Sequence, residues 1–457
     1  MRKRDFLTLF SLTLMGIINH ACRENAQEYA VASNKKRIVV IGAGLAGLAA
    51  ARELQRQSHD VIVIEARERI GGRIWTSLKW PDIPLDLGAT WIHGTQGNPL
   101  TNLAEQIKAK RLITSYDRAV TYNTSGKPLS SEEEARMENL RKQVFRILKK
   151  AQDEDADVSI RQAIQPLMRQ LDKSSEAYRF INFILSSEIE QEYSGSSESL
   201  SAHWYDNAKA FPGDDALFIQ GFRIIPEFLA QGLNIELGQV VKEIQWHQSP
   251  IEVITQKSKF IADHVVVTLP LGVLQAKHVR FTPQLPPSKQ TAIAKLGMGV
   301  LNKCYLRFPK VFWSVEADWL EYVSAKQGEW TEWVSFQRVA NLPILLGFNA
   351  ADRGREIEAW SDQQIIANAM QTLRQIYGVG IPEPTDYQIT RWATDSFSRG
   401  SYSYNRVGTL PKMRQDFATP LKELVFFAGE ASETHYFGTA HGAYLSGLRA
   451  AKEILNL

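Results

Sequence analysis

The chain has 457 residues, 44% hydrophobic and 23% charged, with 53 basic against 50 acidic side chains and a formal charge of +3. This is globular composition, long enough for two domains, and so small a basic excess gives no ground for a nucleic-acid partner. Two cysteines, Cys22 and Cys304, exclude a disulfide framework, and no His or Cys spacing suits a metal site.

The N-terminus reads as an export signal. Basic MRKRDF leads into FLTLFSLTLMGII, 13 uncharged residues, and then polar sequence. The apolar run is too short for a comfortable membrane span. Lys3-Arg4 ahead of Asp5-Phe6-Leu7 resembles a twin-arginine signal in a lysine-arginine variant, so residues 1–30 are expected to be a signal peptide and the mature chain extracytoplasmic, with no stable membrane span. A membrane-anchoring helix is the competing reading. Lipidation at Cys22 is weakly supported, because INHA is a poor lipobox.

Residues 35–76 carry the strongest pattern. Ile38 to Ile41 predict a strand, Gly42, Gly44 and Gly47 fill GxGxxG, a small-residue helix follows, and Val61 to Ile64 predict a second strand ending at Glu65. In such a unit Gly42 permits the tight turn, Gly44 lets backbone approach a pyrophosphate, and Gly47 lets the helix pack close to the strand. The helix N-terminus supplies N–H groups to the phosphates, and Glu65 suits ribose hydroxyls. A second glycine turn, Gly71-Gly72-Arg73, adds another backbone approach and a charge-assisted donor.

These residues, GxGxxGLxAAxxL followed by EARxRxGGR, resemble the flavin amine oxidase family of monoamine, polyamine and spermine oxidases and lysine-specific histone demethylases. Further similarity lies in LDLGATWIHGTQGNPL, VVVTLPLGVL, NKCYLRFPKVFW, RWATDSFSRGSYSY and FFAGEASETHYFGTAHGAYLSGLRAA; residues 105–205 match only weakly. The resemblance implies an α/β amine oxidase fold. A discontinuous Rossmann-like FAD-binding domain (36–80, 206–300 and 388–457) would join a substrate domain of mixed sheet and helices (81–205 and 301–387). Residues 110–205 read as helical, with a capping serine and early glutamates in SSEEEARMENLRKQVFRILKKAQ, and 319–350 as strands. TAHGAYLSGLRAAKEIL reads as a helix with a small face at Ala443, Gly447 and Ala450, its start aimed at the flavin pyrimidine.

By the same resemblance, Arg67, Arg73, Val241, Gly429 and Glu430 join Gly42, Gly44, Gly47, Glu65 and Gly72 as FAD-contacting residues. Any sheet would accept a valine at 241. Ser401 stands where monoamine oxidases carry the cysteine that binds FAD covalently, which implies non-covalent FAD.

The strand at GVLNKCYLRFPKVFW alternates Leu301, Lys303, Tyr305 and Arg307 on one face with Asn302, Cys304, Leu306 and Phe308 on the other. Alone, Lys303 is either solvent-facing or aimed at a reaction centre. The resemblance implies the second, near flavin N5, with Leu301 and Tyr305 shielded from solvent. Tyr402 matches one aromatic wall before the flavin. Thr439 stands where many relatives have the second, which implies a wider site. His93 matches a substrate-bonding histidine, Tyr404 is the neighbouring alternative to Tyr402, and Trp91 and Trp392 read as packing. A polycationic substrate wants carboxylates, for which Glu188, Glu190, Glu192 and Glu198 are candidates.

The implied function is oxidation of a small polyamine (spermine, spermidine or an acetylated form), with O2 as acceptor and H2O2 as product. The alternative is an L-amino-acid or monoamine oxidase, for which Arg399 or Arg307 would hold a carboxylate. Flavin binding without turnover is the non-enzymatic reading. The bond oxidised and the oligomeric state are left open.

Overall fold

A computed structural model describes residues 35–247 and 249–457. The signal-peptide reading and Cys22 fall outside them. Among the described residues no helix is long and apolar enough to cross a membrane.

The first pattern folds as its chemistry requires. RIVVI (Arg37–Ile41) and DVIVI (Asp60–Ile64) are β-branched runs that make central strands of a five-stranded parallel sheet. Across the sheet the order is Val425–Phe427, His264–Val267, Arg37–Ile41, Asp60–Ile64, Asn234–Glu236. Continuous apolar strands suit a sheet covered on both faces. On one face the helix Leu45–Arg56 packs against Ala440–Leu455. The crossing is so close that a β-carbon on Gly447 would lie 2.1 Å from the Ala46 carbonyl oxygen.

The strand Leu301–Arg307 sits in a six-stranded mixed sheet, between Ile344–Ala350 and Asp386–Ile389, followed outward by Glu332–Ser335, Trp319–Tyr322 and Ala119–Tyr122. Its alternation is as expected. Cys304 and Leu306 enter a core with Ile365 and Leu373 of the helix Asp362–Tyr377. Tyr305 enters the opposite core with Leu346, Phe348 and Trp319.

Residues 131–184 are helical, as three helices Ser131–Ala151, Ile160–Met168 and Glu176–Ile184, the last running into a π-helical stretch, Leu185–Gln191. The Ser130 capping box is formed. The helical reading from 110 needs correction: RLIT (Arg111–Thr114) and AVTY (Ala119–Tyr122) are strands. Four residues carry too little periodicity to separate strand from helix, and their partners at 215–218 and 319–322 are remote in sequence. Two pairings also cross the expected domain divisions. Asp215–Phe218 joins Trp91–Ile92 and Arg111–Thr114, and Asp386–Ile389 joins the Lys303 strand.

Candidate active site

The parallel sheet and the mixed sheet meet around one cavity of about 970 Å³, a volume suited to a large ligand. The fit of a dinucleotide is tested by the backbone at one end of this cavity. Gly42 has φ +107°, and a β-carbon there would lie 2.5 Å from Thr268 Oγ1. A β-carbon on Gly47 would sit 1.9 Å from the Gly42 carbonyl oxygen. Gly44 has open space on that side and lines the cavity. Gly71 donates its N–H to the Ala43 carbonyl (2.8 Å), which brings both glycine turns to one place. The helix starting at Leu45 has no side-chain cap, so its first N–H groups remain for an anion. These features fit a pyrophosphate.

The other FAD-directed residues divide into wall and support. Gly42, Gly44, Glu65, Arg67, Gly72, Arg73, Val241, Gly429 and Glu430 line the cavity; Gly47 lies behind the turn. Glu65 accepts from the N–H groups of Ala43 (2.8 Å) and Arg67 (2.9 Å). Each oxygen keeps a second lone pair for a hydroxyl. Arg67 is clamped to Asp395 (2.6 Å) and Arg73 to Glu430 (2.8 Å). Glu430 also accepts from Ser403 Oγ (2.6 Å) and the Gly438 N–H (2.9 Å). Burial opposes its charge, but Arg73 and Ser403 hold the carboxyl below its ordinary range. Arg67 and Glu430 thus fix the loops around the cofactor place as well as lining it. Ser401 Oγ is engaged with the Leu301 backbone (2.9 and 3.1 Å), and Cys304 is buried in a separate core. The wall therefore offers no thiol for a covalent link.

Lys303 is 5% exposed and reaches the cavity. Its Nζ contacts the carbonyls of Asp86 (2.8 Å) and Gly88 (2.7 Å) and the hydroxyl of Thr90. The carbonyls only accept, whereas the hydroxyl both donates and accepts. The cage therefore satisfies the ammonium and the neutral amine alike. Burial lowers the Lys303 pKa to about 7, with the buried Asp86 carboxylate opposing. Leu301 lines the cavity beside it, while Tyr305 is fully buried and donates to the Asp86 carbonyl (2.8 Å).

Tyr402 lines the cavity and donates its hydroxyl to the Gln191 carbonyl in the π-helical stretch. Tyr404 turns away into the helical core and bonds Ser199. Thr439 lines the cavity and is also an N-cap: its hydroxyl accepts from Gly442 N–H (2.9 Å) and donates to the Tyr436 carbonyl (2.7 Å). That leaves the Ala440 and His441 N–H groups without helix partners. His93 is exposed to the cavity, its side chain 58% accessible, and pairs with Asp215 (2.8 Å); enclosure by the cavity walls opposes protonation, but the carboxylate outweighs it and raises the pKa. Trp91 and Trp392 both line the cavity, which adds a wall role to their packing. Of the four glutamate candidates only Glu192 lines it. Glu188 pairs with Arg141, Glu190 accepts from the Ser197 N–H, and Glu198 lies by Arg161. Arg307 pairs with Asp82 away from the cavity, and Arg399 bonds His278.

Sequence reasoning missed several wall residues: Tyr116, Asp214, Asp215, Trp319, Glu332 and His441. Burial, with His93 adding, lowers the His441 pKa to about 4, so the ring two residues after the N-cap Thr439 is neutral at pH 7. Its place one residue before Gly442 in TAHG was a usable signal; the others lie in unremarkable strand and loop sequence.

A family model described as flavin containing amine oxidoreductase matches residues 45–455. Polyamine oxidase 2 of Arabidopsis thaliana is 33% identical over 432 residues, covering 91% of this chain and 87% of its own. Polyamine oxidase 3 of Oryza sativa subsp. japonica is 33% identical over 437 residues, covering 92% and 89%. Lysine-specific histone demethylase 1 homolog 2 of A. thaliana is 34% identical over 438 residues, but only 58% of its length is covered. A solved structure of putrescine oxidase bound to putrescine superposes with a TM-score of 0.76 at 20% identity, over 93% of this chain and 99% of that one.

Proposed function

Because the chain belongs to the flavin-containing amine oxidoreductase family and is an FAD-dependent amine oxidase, we propose that its substrate is a polyamine such as spermine, spermidine or an acetylated form. The observation that carries this reading is the composition of this cavity. One end is a glycine cradle, the middle holds Lys303 and Tyr402, and the wall beyond adds the carboxylates of Glu192, Asp214, Asp215 and Glu332 against Lys209 and the His93 paired with Asp215. Such a wall attracts a polycation and repels a carboxylate.

FAD, when bound, takes a hydride equivalent from the carbon beside the amine nitrogen and passes the electrons to O2, giving H2O2. The chain's part is positioning and electrostatics. The glycine turns and Arg73 hold the phosphates and the adjoining loops. The Ala440 and His441 N–H groups face the place where negative charge develops. Tyr402 walls the amine, with its ring fixed by the Gln191 carbonyl. Lys303, lowered toward neutrality by burial, adds no full positive charge to a site that receives a cation. His93, held by Asp215, contacts the substrate from the mouth. Non-covalent FAD follows from Ser401.

An amine panel tests the reading, with peroxide detection, product identification and anaerobic flavin bleaching. Spermine or spermidine oxidation without phenylalanine or tyramine oxidation is expected. Oxidation of an L-amino acid alone would overturn it. For the N-terminus, export by a twin-arginine route is supported by the Lys3-Arg4 pattern and the short apolar run. Residues 1–34 fused to a folded reporter should carry it out of the cytoplasm, and Arg4→Gln should retain it.

A further inference from the structure

Behind the wall of the cavity lies a buried charge without a counter-ion. The short helix Lys412–Ala418 buries Met413, Arg414 and Phe417. Met413 and Phe417 are apolar and join the core on one face of the parallel sheet. Arg414 is 1% exposed, as deeply buried as they are. Burial lowers its pKa to about 9, so it stays charged at neutral pH. A buried charge is costly unless it is paired or well hydrogen-bonded.

Among the described residues no carboxylate lies within ion-pair distance of Arg414. Glu430, whose charge acts on it most, is taken by Arg73 (2.8 Å). Neutral oxygens satisfy the guanidinium instead. Nε and Nη2 donate to Asn405 Oδ1 (3.2 and 3.0 Å), and Nη1 donates to Ser403 Oγ (2.9 Å) and the Ala431 carbonyl (3.1 Å). The Phe437 ring covers one face, its centroid 3.8 Å from the guanidinium carbon.

These partners belong to the segments that build the redox end of the cavity. Ser403 follows Tyr402, Ala431 follows Glu430, and Phe437 and Gly438 lead into the Thr439 cap. Ser403, Glu430 and Phe437 line the cavity, and Arg414 stands behind them. The Ser403 hydroxyl accepts from Arg414 and donates to Glu430 (2.6 Å). Glu430 in turn holds Arg73 and the Gly438 N–H (2.9 Å). Arg73, Glu430 and Arg414 thus set two positive charges against one negative, and the surplus sits one aromatic ring behind the wall. A fixed positive charge beside a site where negative charge develops on reduction stabilises the reduced form.

We infer that Arg414 is a positioning residue of the redox site: it braces the segments around Tyr402, Glu430 and Phe437, and its unpaired charge, acting through the Phe437 ring, raises the reduction potential of the bound flavin. The inference concerns the cofactor and holds whichever amine is oxidised, so its failure leaves the substrate reading standing.

The test measures the midpoint potential of bound FAD by anaerobic titration against reference dyes, with melting temperatures alongside. Wild type, Arg414→Lys, Arg414→Met and Asn405→Asp are compared, each shown to be loaded by its flavin spectrum. Arg414→Met should lower the reduction equilibrium constant by about tenfold, which is about 30 mV for a two-electron couple. Arg414→Lys keeps the charge and should retain most of the wild-type potential. Asn405→Asp leaves the arginine in place and gives it a counter-charge, so its potential should fall in the same direction. It also forfeits the bonds from Asn405 Nδ2 to the Trp204 carbonyl and Asn207, a loss that by itself lowers only the melting temperature. Unchanged potentials in Arg414→Met and Asn405→Asp, whatever their melting temperatures, would make Arg414 a structural brace alone and overturn the inference, as would a potential in Arg414→Lys no higher than in Arg414→Met. Should Arg414→Met fail to fold or to load, Asn405→Asp against wild type decides.

Discussion

The two ends of the cavity are built by opposite means. At the nucleotide end the backbone works directly: Gly42, Gly44 and Gly47 lie within six consecutive residues, and their role is to have no side chain. At the acidic end side chains do the work. They come from Tyr116, Glu192, Trp319 and Glu332, on segments that meet only after the mixed sheet has formed. A defect at the first end should therefore remove the cofactor, whereas a defect at the second should change which amine is used.

The largest expected effect tests the first half of that contrast. Gly47→Val places a β-carbon 1.9 Å from the Gly42 carbonyl and should yield protein without bound FAD, read from the visible spectrum. Retained flavin would break the contrast. Next, Lys303→Met should keep FAD, because the lysine cage lies beside the cradle, yet slow one or both flavin half-reactions by about 100-fold. Rapid mixing measures each half separately, and unchanged rates in both would remove Lys303 from the catalytic set.

A smaller effect concerns pH. With its pKa at about 7, Lys303 gains a proton as pH falls through that value. A buried ammonium then repels a cationic substrate, so substrate binding should weaken by roughly tenfold from pH 8 to pH 6. His93, whose pKa is raised by Asp215, contributes in the same direction. Anaerobic titration of Lys303→Met should lose the part centred near 7 and keep the rest. The smallest effect is at Thr439. Replacing it by Ala removes the N-cap bond to Gly442 and should cost about 1 kcal/mol of stability, seen as a lower melting temperature with FAD still bound.

The legibility of the two ends follows the same division. Local pattern located the cradle because a phosphate turn needs glycine at fixed spacing along one segment. Lys303 was legible as a strand residue, but its direction depended on family resemblance. Among the acids, Glu188, Glu190 and Glu198 looked equal to Glu192 in sequence, and only packing separated them: Arg141 took one, the Ser197 backbone another, and Arg161 a third. Glu332 had no signal at all, being one polar residue in EWTEWVSF. The strands Arg111–Thr114 and Ala119–Tyr122 were missed for the related reason that their partners lie elsewhere in the chain.

The sequence by itself determined the dinucleotide unit, the alternation of the Lys303 strand and the absence of a thiol at position 401, since each is a property of neighbours along the chain. Only the tertiary structure decided that Lys303 is caged by Asp86, Gly88 and Thr90, that His93 is held by Asp215, and that Glu332 lines the cavity with no basic partner among the described residues. Those are matters of desolvation and pairing, and a carboxylate or an amine acquires them only when distant strands bring its partners, or fail to bring them, within hydrogen-bonding reach.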